Sequence, residues 1–238
     1  MNRPLAVFLF AAFAAPCPQS AVAGPITVPT DLKPGDQYRL VFVTSIVRPA
    51  NLPNIADYNA FVTIAANSIP ELVGLGTTWN VIGSTLGISA RDNTATNPTI
   101  STGYPIYRLD SRLVARSNAD LWDGTLINPI NVAENGAPAI PGFQGIDWVF
   151  TGTQKSGIPA GFGQYLGNGN ACLLGTYHST DFHWVNDSIG VGGLTLKYYA
   201  MSGVLTVVPE PSTLALAAFG FIGLVAWGWQ RKQLRAVG

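Results

Sequence analysis

The chain has 238 residues, 47% of them hydrophobic and only 11% charged, with 13 Lys and Arg balanced by 13 Asp and Glu. A body without a basic cluster argues against nucleic acid as a partner, and two cysteines are too few for a disulfide framework. With 26 Gly and 17 Pro, the composition favours strands and long ordered loops over exposed helices.

In chain order, the basic start Met1-Asn-Arg3, the apolar run 5–15 and the small-x-small signal Ala21-Val-Ala23 read as a secretory signal peptide over 1–23. Cleavage after Ala23 would leave Gly24 as the first residue and remove Cys17. Residues 24–208 then form one domain, long enough for a proper core, with nine Lys and Arg against twelve Asp and Glu. Cys172 is its only cysteine, so burial rather than cross-linking must hold it together.

Residues 24–36 read as an extended lead-in, rich in Pro and Gly. Residues 38–45 place Tyr38, Leu40 and Phe42 on one face and Val41 and Val43 on the other, the pattern of a strand buried on both sides. Asn54 can cap a helix, Asp57 suits its positive end, and Ile55, Tyr58, Val62 and Ala65 share one face. Pro70 limits that helix. Residues 79–82 read as a strand, 90–98 as a polar loop, and 106–108 with 113–115 as a hairpin turning at Asp110 and Ser111. Residues 118–124 read as a structured turn, in which Asp120 and Asp123 would cap backbone N–H groups.

Ile146, Trp148 and Phe150 alternate in a second core strand, and residues 152–170 form a Gly-rich ordered loop. Phe182, Trp184 and Val185 resume the apolar pattern, and 194–201 with 204–207 close the domain as a strand or strand pair. Residues 38–44 and 196–207 are the longest β-rich runs. Each needs a neighbour, so they are expected to pair antiparallel at the centre, with the middle, 80–170, displayed away from the membrane.

After Val208 come Pro209, Glu210 and Pro211, an uncharged apolar run over 212–229, and then Arg231, Lys232 and Arg235. A helix of that run would rise roughly 27 Å, close to the thickness of a bilayer core. The basic cluster would stop transfer and hold the end of the chain in the cytoplasm, with Trp227 and Trp229 at the interface.

The tail resembles a PEP-CTERM sorting domain over 209–235, with Pro209, Glu210 and Pro211 as signature and Arg231 and Lys232 as stop. The resemblance implies an exosortase as partner, in a Gram-negative bacterium that makes exopolysaccharide. Before processing, the protein would be anchored in the inner membrane through its C-terminus, and afterwards it would reach the cell surface or the extracellular space.

The order of elements is that of an α+β fold: short antiparallel strands, one main helix, long loops and a C-terminal transmembrane helix. Residues 38–207 resemble the C-type-lectin-like fold, in its endostatin-like branch. The resemblance is carried by 38–44, the helix over 54–68, Trp148-Val-Phe-Thr-Gly-Thr153, Asp181 with Trp184, and Leu196-Lys-Tyr-Tyr-Ala200. In that fold the first and last strands pair. The chain departs from it in lacking the usual disulfide cysteines.

Trp184-Val-Asn186-Asp187 is close to the Trp-Asn-Asp motif of calcium-dependent lectins of that fold, with one residue more. Asp181, Asn186 and Asp187 would supply three or four of the six to eight oxygens calcium needs, and the second ligand motif is missing. A strand end and a turn account for the stretch, and no metal or cofactor is expected. Cys172 with His178 and Asp181 has the residue types of a thiol nucleophile, but a buried cysteine is the simpler reading. His178 and His183 find no third zinc ligand. Trp122 between Asp120 and Asp123 is the tryptophan expected to be partly exposed, where it could stack on a sugar.

The function expected is therefore that of an exported, non-enzymatic surface or matrix protein binding polysaccharide or another surface protein. The competing expectation is an exported hydrolase with an acidic or Cys172 site.

Overall fold

A computed structural model describes residues 26–142, 145–191 and 193–208. The signal peptide expected over 1–23 and the sorting tail with its helix over 212–229 lie outside these residues.

The two-faced run becomes β1 (Gln37–Val43), and both of its faces are filled. Tyr38, Leu40 and Phe42 enter one core cluster, and Val41 and Val43 enter the other. With no face open to water, both backbone edges must pair. On one side β3 (Ile106–Arg108) lies parallel, with Leu40 beside Tyr107. On the other, β8 (Tyr199–Ser202) lies antiparallel, with Phe42 beside Ala200, and β9 (Leu205–Thr206) continues the pairing at Tyr38 and Gln37. The expected central pairing of 38–44 with 196–207 is thus present.

Between β8 and β9 the register slips by one residue, which is a bulge. Ser202 fills it. Its Oγ accepts the Leu40 N–H at 2.9 Å and donates to the Gly203 carbonyl at 2.7 Å, so it satisfies one backbone donor and one acceptor that the slip in register would otherwise leave unpaired. β2 (Trp79–Val81) and β4 (Leu113–Ala115) complete the sheet in the order β2-β8-β1-β3-β4. β3 and β4 form the expected hairpin, turned by Ser111 at φ 65°.

One face of this sheet is covered by α1 (Ile55–Asn67), whose buried side chains are Ile55, Tyr58, Val62, Ala65 and Ala66. Phe42 meets Trp79 edge-on at 5.0 Å, and Tyr198 packs against Tyr58 in a tilted contact at 5.5 Å. Asn54 sits at the cap position, but its side chain makes no capping bond. Pro70 does more than stop the helix, since it opens α2 (Pro70–Val73) at a position where its missing N–H costs nothing. The other face is covered by α3 (Ala90–Asn93), α4 (Asn118–Leu121) and a 3-10 turn at Phe182–Trp184. Trp184 lies at its centre, 5.6 Å from Trp122 and 5.8 Å from Tyr199.

A second, antiparallel sheet is formed by β5 (Trp148–Phe150), β6 (Ala171–Thr176) and β7 (Ser188–Val191). The Phe150 N–H donates to the Lys197 carbonyl at 3.0 Å, which joins it to the strand leading into β8. The 152–170 segment is the ordered loop expected, held by Leu166 N–H to the Ser84 carbonyl at 2.8 Å and Ala160 N–H to that of Gly152 at 2.9 Å. The middle of the chain is not simply displayed. It supplies β2 to β5 and with them much of both sheets. The architecture is α+β, and among the described residues no helix is long and apolar enough to cross a membrane.

Candidate functional site

The body hands over to the tail at β9. The Gly35 N–H donates to the Val207 carbonyl at 2.8 Å, and the Val207 N–H to that of Asp36 at 2.9 Å, so the ladder runs to Val207. Val208 is already 75% exposed. Pro209, which has no N–H, could not extend the ladder. The other end of the body is tied close by, through Tyr38 Oη to the Thr27 carbonyl at 2.6 Å. Pro209, Glu210 and Pro211, and the basic Arg231, Lys232 and Arg235, lie outside the described residues.

The thiol constellation is not assembled around Cys172. This residue lies on β6 at 4% exposure, and burial pushes its thiol up to about 12, so the reactive thiolate is suppressed. Its Sγ lies 3.4 Å from the Leu173 carbonyl. His178 instead faces Asp147, with Nδ1 to Oδ2 at 3.2 Å. Cys172 forms part of the wall of a cleft of about 170 Å³, which it shares with Pro49, Asn51, Phe150, Asn170 and Leu194.

Of the calcium candidates, Asp181 is drawn into its own turn. Its Oδ1 accepts from Ser179 Oγ at 2.6 Å and from the His183 N–H at 3.0 Å, and it pairs with His183 Nδ1 at 2.7 Å. Those bonds hold its carboxyl down to about 2. Asp187 Oδ2 accepts from Thr176 Oγ1 at 2.9 Å, and Asn186 is half-buried. Among the described residues, no group of three or more His, Cys, Asp and Glu is placed to hold a metal ion.

Asp120 and Asp123 act on the backbone. Asp120 Oδ2 accepts the Arg116 N–H at 2.6 Å, and Asp123 Oδ1 that of Thr125 at 2.8 Å. Trp122 is only 7% exposed, against the expectation of a partly exposed platform. The turn of α4 swings its indole inward, where Nε1 donates to Thr96 Oγ1 at 3.0 Å and the ring packs on Trp184.

A further site lies in and just after the stretch expected to be a polar loop, 90–98. A cavity of about 230 Å³ is lined by Asp92, Ala95, Asn97, Ile100 and Ser101. Ser89 caps α3, accepting the Asp92 N–H and donating to Asp92 Oδ2 at 2.5 Å. Asp92 Oδ1 accepts from Asn97 Nδ2 at 2.6 Å, and these two bonds hold its carboxyl below the usual carboxylate range. Asn97 Oδ1 accepts from both the N–H and the Oγ1 of Thr99, so its amide orientation is fixed. Ser89-x-x-Asp92 was legible as a helix start. The contribution of Asn97 depends on a turn through Ala95 at φ 52°, which leaves no signal in the sequence.

No curated protein matches the chain. A family model of the PEP-CTERM protein-sorting motif matches residues 207–232, beginning on the last residue that the ladder holds. The chain therefore carries a PEP-CTERM sorting tail directly after its last core strand, and that motif implies an exported, surface-directed protein sorted by an exosortase.

Proposed function

We propose that this is a non-enzymatic surface or matrix protein whose C-type-lectin-like body binds polysaccharide or a neighbouring surface protein after exosortase sorting. The observation that carries the reading is the pairing of β1 with β8 and β9, which closes the body on itself immediately before the matched sorting motif begins at residue 207. First and last strands paired and one main helix are also what the lectin-like resemblance asks for. The binding, non-catalytic role is supported by how the chemistry-bearing side chains are used. Cys172 is buried with its thiol raised, and Asp120, Asp123 and Asp181 bind backbone N–H groups of their own turns.

The tail anchors the body through 212–229 and is processed near 208–211. Deleting residues 212–238 releases the body in soluble form, as cell fractionation would read it, while a truncated body that still sediments with membranes rules out a sole C-terminal anchor. Incubating the purified protein with glycans tests the role. Binding without turnover is the expected result. Turnover that disappears in Cys172→Ala or Asp181→Ala would make it a hydrolase instead.

A further inference from the structure

We infer that the cavity lined by Asp92, Asn97 and Ser101 is a carbohydrate subsite for one neutral pyranose ring of a polysaccharide, an inference that rests on the polysaccharide reading above. At about 230 Å³ the space is smaller than the ~300–1,000 Å³ of pockets for drug-sized ligands, and it suits a single ring. Its walls match the two-sided chemistry of a sugar. Asp92, Asn97 and Ser101 offer polar atoms to hydroxyl groups, while Ala95 and Ile100 offer apolar surface to ring C–H groups.

The polar side is built in advance. Each Asp92 oxygen accepts one bond from the protein and keeps further acceptor capacity. Asn97, 8% exposed, spends one Nδ2 hydrogen on Asp92 and both oxygen lone pairs on Thr99, which leaves the second Nδ2 hydrogen for a ligand oxygen. A ligand would not have to order these groups, which is where affinity for small polar ligands is usually lost.

Two buried polar side chains that do not themselves line the cavity hold its wall from inside. Arg39, 6% exposed, donates through Nη2 to the Ala95 carbonyl at 3.4 Å, and its Nε has no partner. Asn118, fully buried, donates to the carbonyl and Oγ of Ser101, both at 3.0 Å, and its Oδ1 has none. Ala95 is held at φ 52°, a strained value for a residue with a Cβ, of the kind that clusters at ligand sites. The ionised Asp92 faces the cavity and no Lys or Arg lines it, so an acidic sugar would meet like charge. The ligand class is therefore non-acidic, and a neutral ring is the member proposed.

The test is affinity electrophoresis of the detergent-solubilised full-length chain through gels holding dextran, galactan, mannan or alginate. At least one neutral polymer should retard the wild type. Asn97→Ala should abolish that retardation, Asp92→Asn should weaken it about 10-fold or more, and Asp123→Asn, on the other acidic turn, should leave it unchanged. Ile100→Glu guards against loss of fold, since Ile100 is 79% exposed and its replacement puts a charge on the apolar wall without entering the core. Retardation unchanged in both Ile100→Glu and Asn97→Ala overturns the subsite and leaves the polysaccharide reading standing. Retardation by alginate alone overturns the neutral class. No retardation by any polymer overturns the subsite and the polysaccharide reading together.

Discussion

The two sheets are built on opposite terms. β1 in the large sheet is covered on both faces and paired on both edges, so every side chain from Tyr38 to Val43 is buried. β7 in the small sheet is an edge strand with its pattern inverted: Gly190 is buried, while Ile189 and Val191 are 48% and 68% exposed. The difference teaches that a strand filled on both sides is dictated by its own residues, whereas an edge strand of glycine and outward apolar residues takes its place from what surrounds it.

Placing a charge at the centre of the large sheet should have the largest effect. Phe42→Asp buries a carboxylate without a partner among Trp79 and the α1 side chains, at a cost of more than ~4 kcal/mol. The expected result is loss of the cooperative thermal transition. A Phe42→Asp variant that melts like the wild type would remove the two-faced core from the comparison.

A smaller, local effect is expected from Gly175→Ala on β6. The added Cβ would be driven into the Trp184 carbonyl and against Val185, contacts that have no flexible end to yield. Overpacking of this kind costs ~1–3 kcal/mol, which lowers Tm by about 2–12 °C in a domain of this size. Hydrogen exchange should show protection falling first in β5 to β7 and surviving in β1 and β8. Equal loss across both sheets would mean that they are one cooperative unit.

The smallest effect belongs to Asp181, in the turn beside the small sheet. Its folded carboxyl sits at about 2, below the 3.8 of a free one, so it adds stability above pH ~4 that is lost as the pH falls toward ~2. Asp181→Asn should therefore flatten the decline of Tm between those values and leave the core untouched. The same acid profile in variant and wild type would show that the turn contributes nothing measurable.

Much of the large sheet was legible because apolar spacing and burial coincide: β1, α1 and the hairpin turning at Ser111 all announce themselves. β6 and β7 do not. Gly175 lies in β6 because only a residue without a side chain lets it approach Trp184, a demand made by a contact rather than by the local sequence. The site was legible only in pieces. The aspartates flanking Trp122 suggested an exposed ring, but they are occupied with the backbone while the indole turns inward to Thr96. Conversely, Asp92 and Asn97 read as loop residues because the bend at Ala95 that brings them together is unfavourable for alanine and is imposed by the fold.

The ladder that ends at Val207 also fixes how the body would respond to a pull. Tension arriving through the tail reaches the body first at the Val207 carbonyl and N–H, held by Gly35 and Asp36, and only then at the pairs of Leu205 and Thr206 with Tyr38 and Gln37. A pull directed across the strands would break these bonds one after another, as a zip opens. The bulge at Ser202 then interrupts the zip before the β1 and β8 pairs are loaded. Under such a pull the last few residues of the body would part as a yielding hem while the core behind it stays folded.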